Sequence, residues 1–146
     1  MAQASFSAAI SKWAAETKER MVAVRNTAAE RVVDIMQTPV ALGGNMPVRD
    51  GFLRGSLMAT TGNLPPTKAK PEGDAKYTYD PGQLTLVLAD ARLTETITVA
   101  YQANYARYQE YGSRGRPGRR FAALAAQQWP AVVAAACADI EKRVAR

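Results

Sequence analysis

The strongest constraint on the fold of this chain is a stripe of apolar residues near its start, most of them spaced three or four positions apart. Such spacing places the side chains on one face of an α-helix. It predicts one long helix over residues 6–37, begun by Ser5 or Ser7 as a cap and ended at Thr38-Pro39, because a residue before proline avoids the α region. The stripe consists of Phe6, Ile10, Trp13, Met21, Val24, Ala28, Val32 and Ile35.

A helix of this length is long for the size of the chain. Roughly thirty residues at about 1.5 Å each span about 45 Å. A compact globule of 146 residues is only about 38 Å across. We therefore expect part of the helix to overhang its own domain and to lie along a neighbouring copy of the chain.

The middle of the chain predicts a small antiparallel sheet of three or four strands. Apolar and polar side chains alternate over residues 84–88 and 96–101, which is the period of a half-buried strand. A further strand is expected near residues 56–61, and an extended stretch at 77–79. Asp80-Pro81-Gly82 suits a type II turn, since proline fits its first central position and glycine its second.

Two more segments complete the predicted fold. Residues 62–76 are polar and contain several prolines, which indicates an exposed loop. Residues 121–144 have helical spacing, and Pro130 is expected to kink or break that C-terminal helix. Together with the long first helix and the sheet, these elements predict an α+β fold in a single domain, residues 1–146.

The composition argues against catalysis and against a bound cofactor or metal. The chain has no histidine, the commonest general base and metal ligand. Its one cysteine, Cys137, lies in an Ala/Val run and is expected to be a small buried apolar residue. The net charge of +6 favours an acidic partner, although it also serves solubility. No apolar run approaches the ~20 residues that span a membrane, so no membrane partner is expected.

The segment Tyr105–Phe121 is the most informative about function, because it mixes tyrosines, glycines, one acid, one proline and five arginines. Glycine and proline favour a loop, and loops carry contacts. Tyr101 and Tyr105 are expected to pin the segment onto the sheet. Tyr108 and Tyr111 are candidate anchors at a subunit interface, where tyrosine is enriched.

The charged residues of this segment leave several interpretations open. Arg114, Arg116, Arg119 and Arg120 are candidates for pairing with carboxylates on another subunit. As an alternative, Arg114, Arg116 and Arg119 are candidates for contact with DNA phosphates. The whole set also fits a solvated basic loop. Glu110, also a candidate interface residue, is expected to pair with an arginine of its own chain or of the next copy.

Two motifs carry a resemblance to a known family. They are Tyr105-Ala106-x-Tyr108-x-Glu110-Tyr111-Gly112-Ser113, followed by Pro117, Phe121 and Gln128-Trp129-Pro130, and the turn Gly51-Phe52-Leu53-Arg54-Gly55-Ser56-Leu57. With the order of a long helix, a turn and then strands, the chain resembles the minor tail or neck proteins of long-tailed bacteriophages, which complete the tail or join it to the head.

The resemblance implies a structural virion protein at the junction of head and tail. Such proteins commonly form rings, often hexameric, around the DNA passage. The implied partners are further copies of the chain, a head–tail connector or stopper protein, a tail tube or tail terminator protein, and non-specific DNA in the lumen. The implied location is the virion, after synthesis in the host cytoplasm. The alternative that the residues leave open is a small basic DNA-binding module.

Overall fold

The fold is organised around one long helix. The computed structural model describes residues 5–145, in which α1 spans Phe6–Gln37. Its 32 residues give a length of about 48 Å. The Ser5 hydroxyl accepts a hydrogen bond from the Ala8 backbone N–H at 3.2 Å, and the helix ends at Thr38, before Pro39. The predicted helix and its end before proline are confirmed.

The remaining elements are short, and they form an α+β structure with two small antiparallel sheets of two strands each. Strands β1 and β2 pair with Leu57 opposite Tyr101 and Thr60 opposite Thr98. Strands β3 and β4 form a separate hairpin. In chain order the elements after α1 are a 3₁₀ turn Val40–Leu42, α2 Phe52–Gly55, β1 Leu57–Thr60, α3 Gly82–Asp90, β2 Thr98–Tyr101, α4 Ala106–Tyr111, β3 Gly112–Ser113, β4 Arg116–Pro117, α5 Phe121–Gln127 and α6 Trp129–Val144.

The sheet is smaller than predicted. The strands expected near residues 56–61 and 96–101 are present as β1 and β2. Residues 77–79 belong to no strand. Residues 84–88, which were expected to be a strand, lie inside α3. The prediction of three or four strands in one sheet was therefore wrong.

Leucine spacing explains why α3 resembled a strand. Leu84 and Leu88 are buried, and residues four apart share a face in a helix as well as in a strand. Leu86 distinguishes a helix from a strand. In a strand it would lie on the same face as Leu84 and Leu88 and be buried with them, whereas in the structure it is 73% exposed. The expected type II turn instead starts the helix: Pro81 has a helical ψ of −13°, and Asp80 Oδ1 accepts a hydrogen bond from the Gly82 N–H at 2.8 Å.

The long loop and the C-terminal helix largely follow the predictions. Residues 62–76 contain no helix or strand and are mostly exposed. The loop is nevertheless tied to the body, because the Lys68 N–H donates to the Gln102 carbonyl at 2.7 Å. Helices α5 and α6 meet at an angle of 55° beside Pro130. Pro130 lies in the first turn of α6, where its missing N–H costs little.

Two apolar clusters form the core, and Tyr101 packs against both. One cluster, with Val33 and Leu88, lies between α1, β1 and α3; the other gathers Phe52 and Phe121. The Tyr101 ring meets that of Phe121 edge-on, with centroids 5.2 Å apart. Its hydroxyl donates to Oε1 of the buried Gln37 at 2.7 Å, and burial raises the pKa of Tyr101 far above its usual value.

Candidate interaction site

The segment predicted to be a loop folds into an ordered β-hairpin between α4 and α5. Residues 112–120, here called the arginine hairpin, contain β3, a two-residue turn at Arg114-Gly115, and β4. Arg114 has φ of +49° and Gly115 has φ of +77°. Left-handed conformation at both central residues is the type I′ turn, whose twist matches that of paired strands. The structure thus holds Arg114 at the tip of a defined turn.

One glycine lets the arginine hairpin lie directly against α4, and a second lets the two strands of the hairpin approach each other closely. A Cβ on Gly118 would be 2.1 Å from the Glu110 carbonyl oxygen, and one on Gly112 would be 2.4 Å from the Arg116 carbonyl oxygen. The chain is held there by backbone hydrogen bonds, from the Arg119 N–H to Gln109 at 2.7 Å and from the Arg120 N–H to Glu110 at 3.1 Å. The base of the hairpin is therefore fixed to the body of the protein.

Glu110 has a different role from the predicted one. Its side chain is buried, and its two carboxylate oxygens accept hydrogen bonds from the N–H groups of Ala122 at 3.0 Å and Ala123 at 2.9 Å. These donors belong to the first turn of α5, where the helix carries partial positive charge. No ion pair of Glu110 occurs within residues 5–145. Pairing with an arginine of its own chain, the first of the two expected alternatives, was wrong, because the N-terminal end of α5 satisfies the carboxylate instead.

The arginines form two groups on the surface. Arg114, Arg116, Arg119 and Arg120 are all exposed, and none takes part in an ion pair among the residues that the structure describes. Arg114 and Arg116 line a cleft of about 620 Å³ beside Tyr108. Arg119 lines a different cavity at the base of the hairpin, and Arg120 immediately precedes α5 with φ of +53°.

The cavity at the base has a volume of about 550 Å³ and is bordered by Arg119, Arg49, Asp50 and Lys70. Lys70 Nζ lies 2.9 Å from Asp50 Oδ2. That hydrogen bond lowers the pKa of Asp50 and raises the pKa of Lys70. Since these two charges offset each other, the two arginines leave the cavity with an excess of positive charge.

The four tyrosines of residues 101–111 fall into an inward pair, as expected for Tyr101 and Tyr105, and an exposed pair. Tyr101 and Tyr105 pack inward, the latter with its ring centroid 6.2 Å from that of Phe52. Tyr108 is 59% exposed and Tyr111 is 73% exposed. The surface around the arginine hairpin therefore presents two aromatic side chains among cations, while the one acid of the segment is turned inward.

Sequence reasoning missed an apolar groove of about 710 Å³ between α1 and α6. Cys137 lines it and is half-buried, not fully buried as expected. The groove brings together residues more than a hundred positions apart, and the periodicity of each helix reveals only that an apolar face exists. Its α1 and α6 lining consists of Thr17, Arg20, Met21, Val24, Arg25, Ala28, Trp129, Val133, Cys137, Ile140, Glu141 and Val144.

Three further observations bear on the class of protein. Within the described range, no group of three or more His, Cys, Asp or Glu side chains is arranged to hold a metal ion. No single described helix has the length and apolarity to cross a membrane; only α5 and α6 taken together would, and they are bent by 55°. Comparisons with protein-family models, curated proteins and solved structures gave no match. The resemblance to phage neck proteins therefore depends on the two sequence motifs and on the order of the elements around them.

Proposed function

We propose that this chain is a structural subunit of the virion of a long-tailed bacteriophage, which assembles with itself at the head–tail junction and acts by binding, not by catalysis. The observation that carries the proposal is the arginine hairpin. It is held against α4 by backbone hydrogen bonds, it projects exposed arginines beside the exposed Tyr108 and Tyr111 of α4, and it overlaps the motif that resembles neck and tail-completion proteins.

Rigidity of the arginine hairpin favours a role in binding. Association costs free energy when flexible segments must become ordered. Here the type I′ turn and the backbone bonds to α4 order the segment in the free chain. Exposed tyrosine and arginine side chains on such a support are the residue types enriched where protein surfaces meet.

In the proposed ring, often hexameric in proteins of this kind, the hairpin of one copy faces acids of the next. Head-to-tail contacts join two different surfaces, so each copy must supply both signs of charge. Glu110 does not supply the acid, since its carboxylate is buried. Exposed acids occur elsewhere, among them Glu72 and Asp74 in the loop of residues 62–76. The faces of the ring would contact the head–tail connector or stopper on one side and the tail tube or terminator on the other.

Charge reversal at the base of the hairpin tests whether the hairpin forms the contact between neighbouring copies, here called the joint. The double substitution Arg119→Glu with Arg120→Glu should abolish ring formation while leaving the circular dichroism spectrum unchanged, because both side chains are exposed. Lys18→Glu with Lys76→Glu makes the same change of charge at exposed positions outside the hairpin and should still assemble. Native mass measurement of both variants decides the matter. Rings of unchanged mass from the hairpin variant would show that the joint lies elsewhere.

A second candidate is a small DNA-binding module, favoured by Arg114 and Arg116 at the exposed end of the hairpin. If these residues and Arg119 contact phosphates, DNA affinity should fall with salt at a logarithmic slope of about −0.9 per contact. Titration of duplex DNA at several salt concentrations measures that slope. Weak binding to DNA together with stoichiometric self-assembly would favour the ring subunit.

A further inference from the structure

The first turns of α1 expose large apolar side chains. All of residues 5–13 are exposed. Phe6 is 80% exposed, Ile10 49% and Trp13 64%. Their spacing of four and three residues places them on one face of the helix. We call residues 6–13 the α1 arm; its apolar face has no cover within the described chain, although apolar surface of this kind commonly marks an interaction site.

The α1–α6 groove offers a surface of matching chemistry. Its floor is apolar, with Met21 and Val24 from α1 and Val133 and Ile140 from α6. Charged side chains, such as Arg20 and Glu141, border it. Helix α6 has 16 residues, which corresponds to a length of about 24 Å. The apolar face of the arm, from residue 6 to residue 13, is about 10 Å long and so fits within it.

The arm of the same molecule does not reach this groove. Residues 6–37 form one uninterrupted helix, and the groove begins on that helix at Thr17. A continuous helix does not fold back onto its own face. The arm and the α1 part of the groove also share a face, since Phe6, Ile10, Trp13, Thr17, Met21, Val24 and Ala28 follow one another at intervals of three or four residues.

We propose that the α1–α6 groove binds the α1 arm of a second copy of this chain. Because arm and groove lie on one face of α1, two antiparallel copies place each arm in the groove of the other at the same time. Two copies joined in this way are related by a two-fold axis, and each contributes the same surface to the contact. It uses no residue of the arginine hairpin and does not depend on the proposed place in a virion.

The surface available is sufficient for a stable pair. A buried aromatic side chain covers about 150–250 Å², so Phe6, Ile10 and Trp13, at their observed exposures, offer about 400 Å² per arm. With the groove surface that they cover, two arms exchanged together bury about 1,200 Å², which is at the lower end of the usual range for a specific interface. One arm alone would bury about half of that, below the usual range.

The single native cysteine makes the contact directly testable, because Cys137 lines the groove and no other thiol competes. The full chain carrying Ile10→Cys and Cys137→Ser is mixed with the unmodified chain and treated with a short bis-maleimide. Each molecule then has one thiol, so a covalent pair joining position 10 to position 137 forms only between two chains. We expect this pair to be a major product and to be identified by peptide mass spectrometry.

The matched control places the new thiol on the opposite face of the same arm. Ala8→Cys with Cys137→Ser is equally exposed but points away from the apolar stripe, and it should give little of the mixed product. Equal yields from positions 8 and 10, or no mixed product from position 10, would overturn the proposal. The arginine hairpin is unchanged in these chains. A negative result for the arm contact would therefore leave the proposed ring contact at the hairpin untouched, and the reverse also holds.

A second measurement covers the energetics of the same contact. Phe6→Ala with Trp13→Ala should weaken self-association at least tenfold by sedimentation equilibrium, while thermal unfolding at low concentration stays unchanged, because both side chains are exposed in the single chain. An unchanged association constant would contradict arm exchange.

Discussion

At the scale of single residues, Glu110 shows how one carboxylate joins two elements. It lies near the end of α4, and its oxygens accept from two N–H groups in the first turn of α5. Such charged hydrogen bonds also benefit from the helix dipole. The side chain therefore joins the end of α4 to the start of α5, the two helices that flank the arginine hairpin.

Glu110→Ala should lower the free energy of unfolding by about 2–3 kcal/mol, because two N–H groups in a partly buried site lose a charged acceptor. Glu110→Gln keeps one acceptor oxygen and should lose less. Urea unfolding measures both. Glu19→Ala, at an exposed position of α1, should change the free energy by no more than about 0.5 kcal/mol. Equal losses at positions 110 and 19 would contradict this role.

At the scale of elements, the arginine hairpin depends on close contact between two backbone segments. Gly118 passes so near the Glu110 carbonyl that any side chain would collide with it. Gly115 differs, since nothing lies within 4 Å of a Cβ added there and only its φ of +77° limits the choice of residue. One glycine thus serves packing and the other serves turn geometry.

Gly118→Ala should lift the arginine hairpin from α4 and break the hydrogen bond from the Arg119 N–H to Gln109. Amide hydrogen exchange should then be at least tenfold faster at Arg119 and Arg120, since local opening becomes easier. Gly115→Asn is the matched control, because asparagine tolerates the left-handed conformation. Equal protection in the two variants would show that the close approach does not hold the hairpin.

At the scale of the whole molecule, two ion pairs join segments that are distant in sequence. Arg31 of α1 pairs with Asp139 of α6, and Lys70 of the long loop pairs with Asp50 before α2. In each case the hydrogen bond from the cation is the main reason that the pKa of the aspartate is lowered. A lowered pKa in the folded state means that the pair stabilises the fold above the unfolded pKa, and that this contribution is lost as pH falls through the folded pKa.

Asp139→Asn should therefore lower the Tm slightly at neutral pH, the effect being small because the pair is exposed. The difference from the unmodified chain should shrink as the pH falls through the lowered pKa of Asp139 and the carboxylate becomes protonated. Calorimetry across this range measures it. Asp90→Asn, at an exposed position outside the described ion pairs, is the control. A difference at position 139 that stays constant with pH would rule out this linkage.

Local sequence alone determined several features of this protein. The limits of α1, the break at Pro130, the strands β1 and β2, and the exposed loop of residues 62–76 all follow from neighbours within a few positions. Helical spacing, a capping serine and a proline act through the backbone of their own segment. The inward packing of Tyr101 was also predicted, because the alternation of residues 96–101 places it on the apolar face of that strand.

Tertiary structure alone decided the rest. The leucines at 84 and 88 suit a strand and a helix alike, and it is the packing of both against α1 and β1, with Leu86 left exposed, that distinguishes the helix. Glu110 has arginines near it in sequence, yet in space its carboxylate is hydrogen-bonded by N–H groups at the N-terminal end of α5. The α1–α6 groove exists only because residues 17–28 and 129–145 meet. The physical reason is common to all three: burial and electrostatic pairing depend on neighbours in space, which periodicity along the chain does not identify.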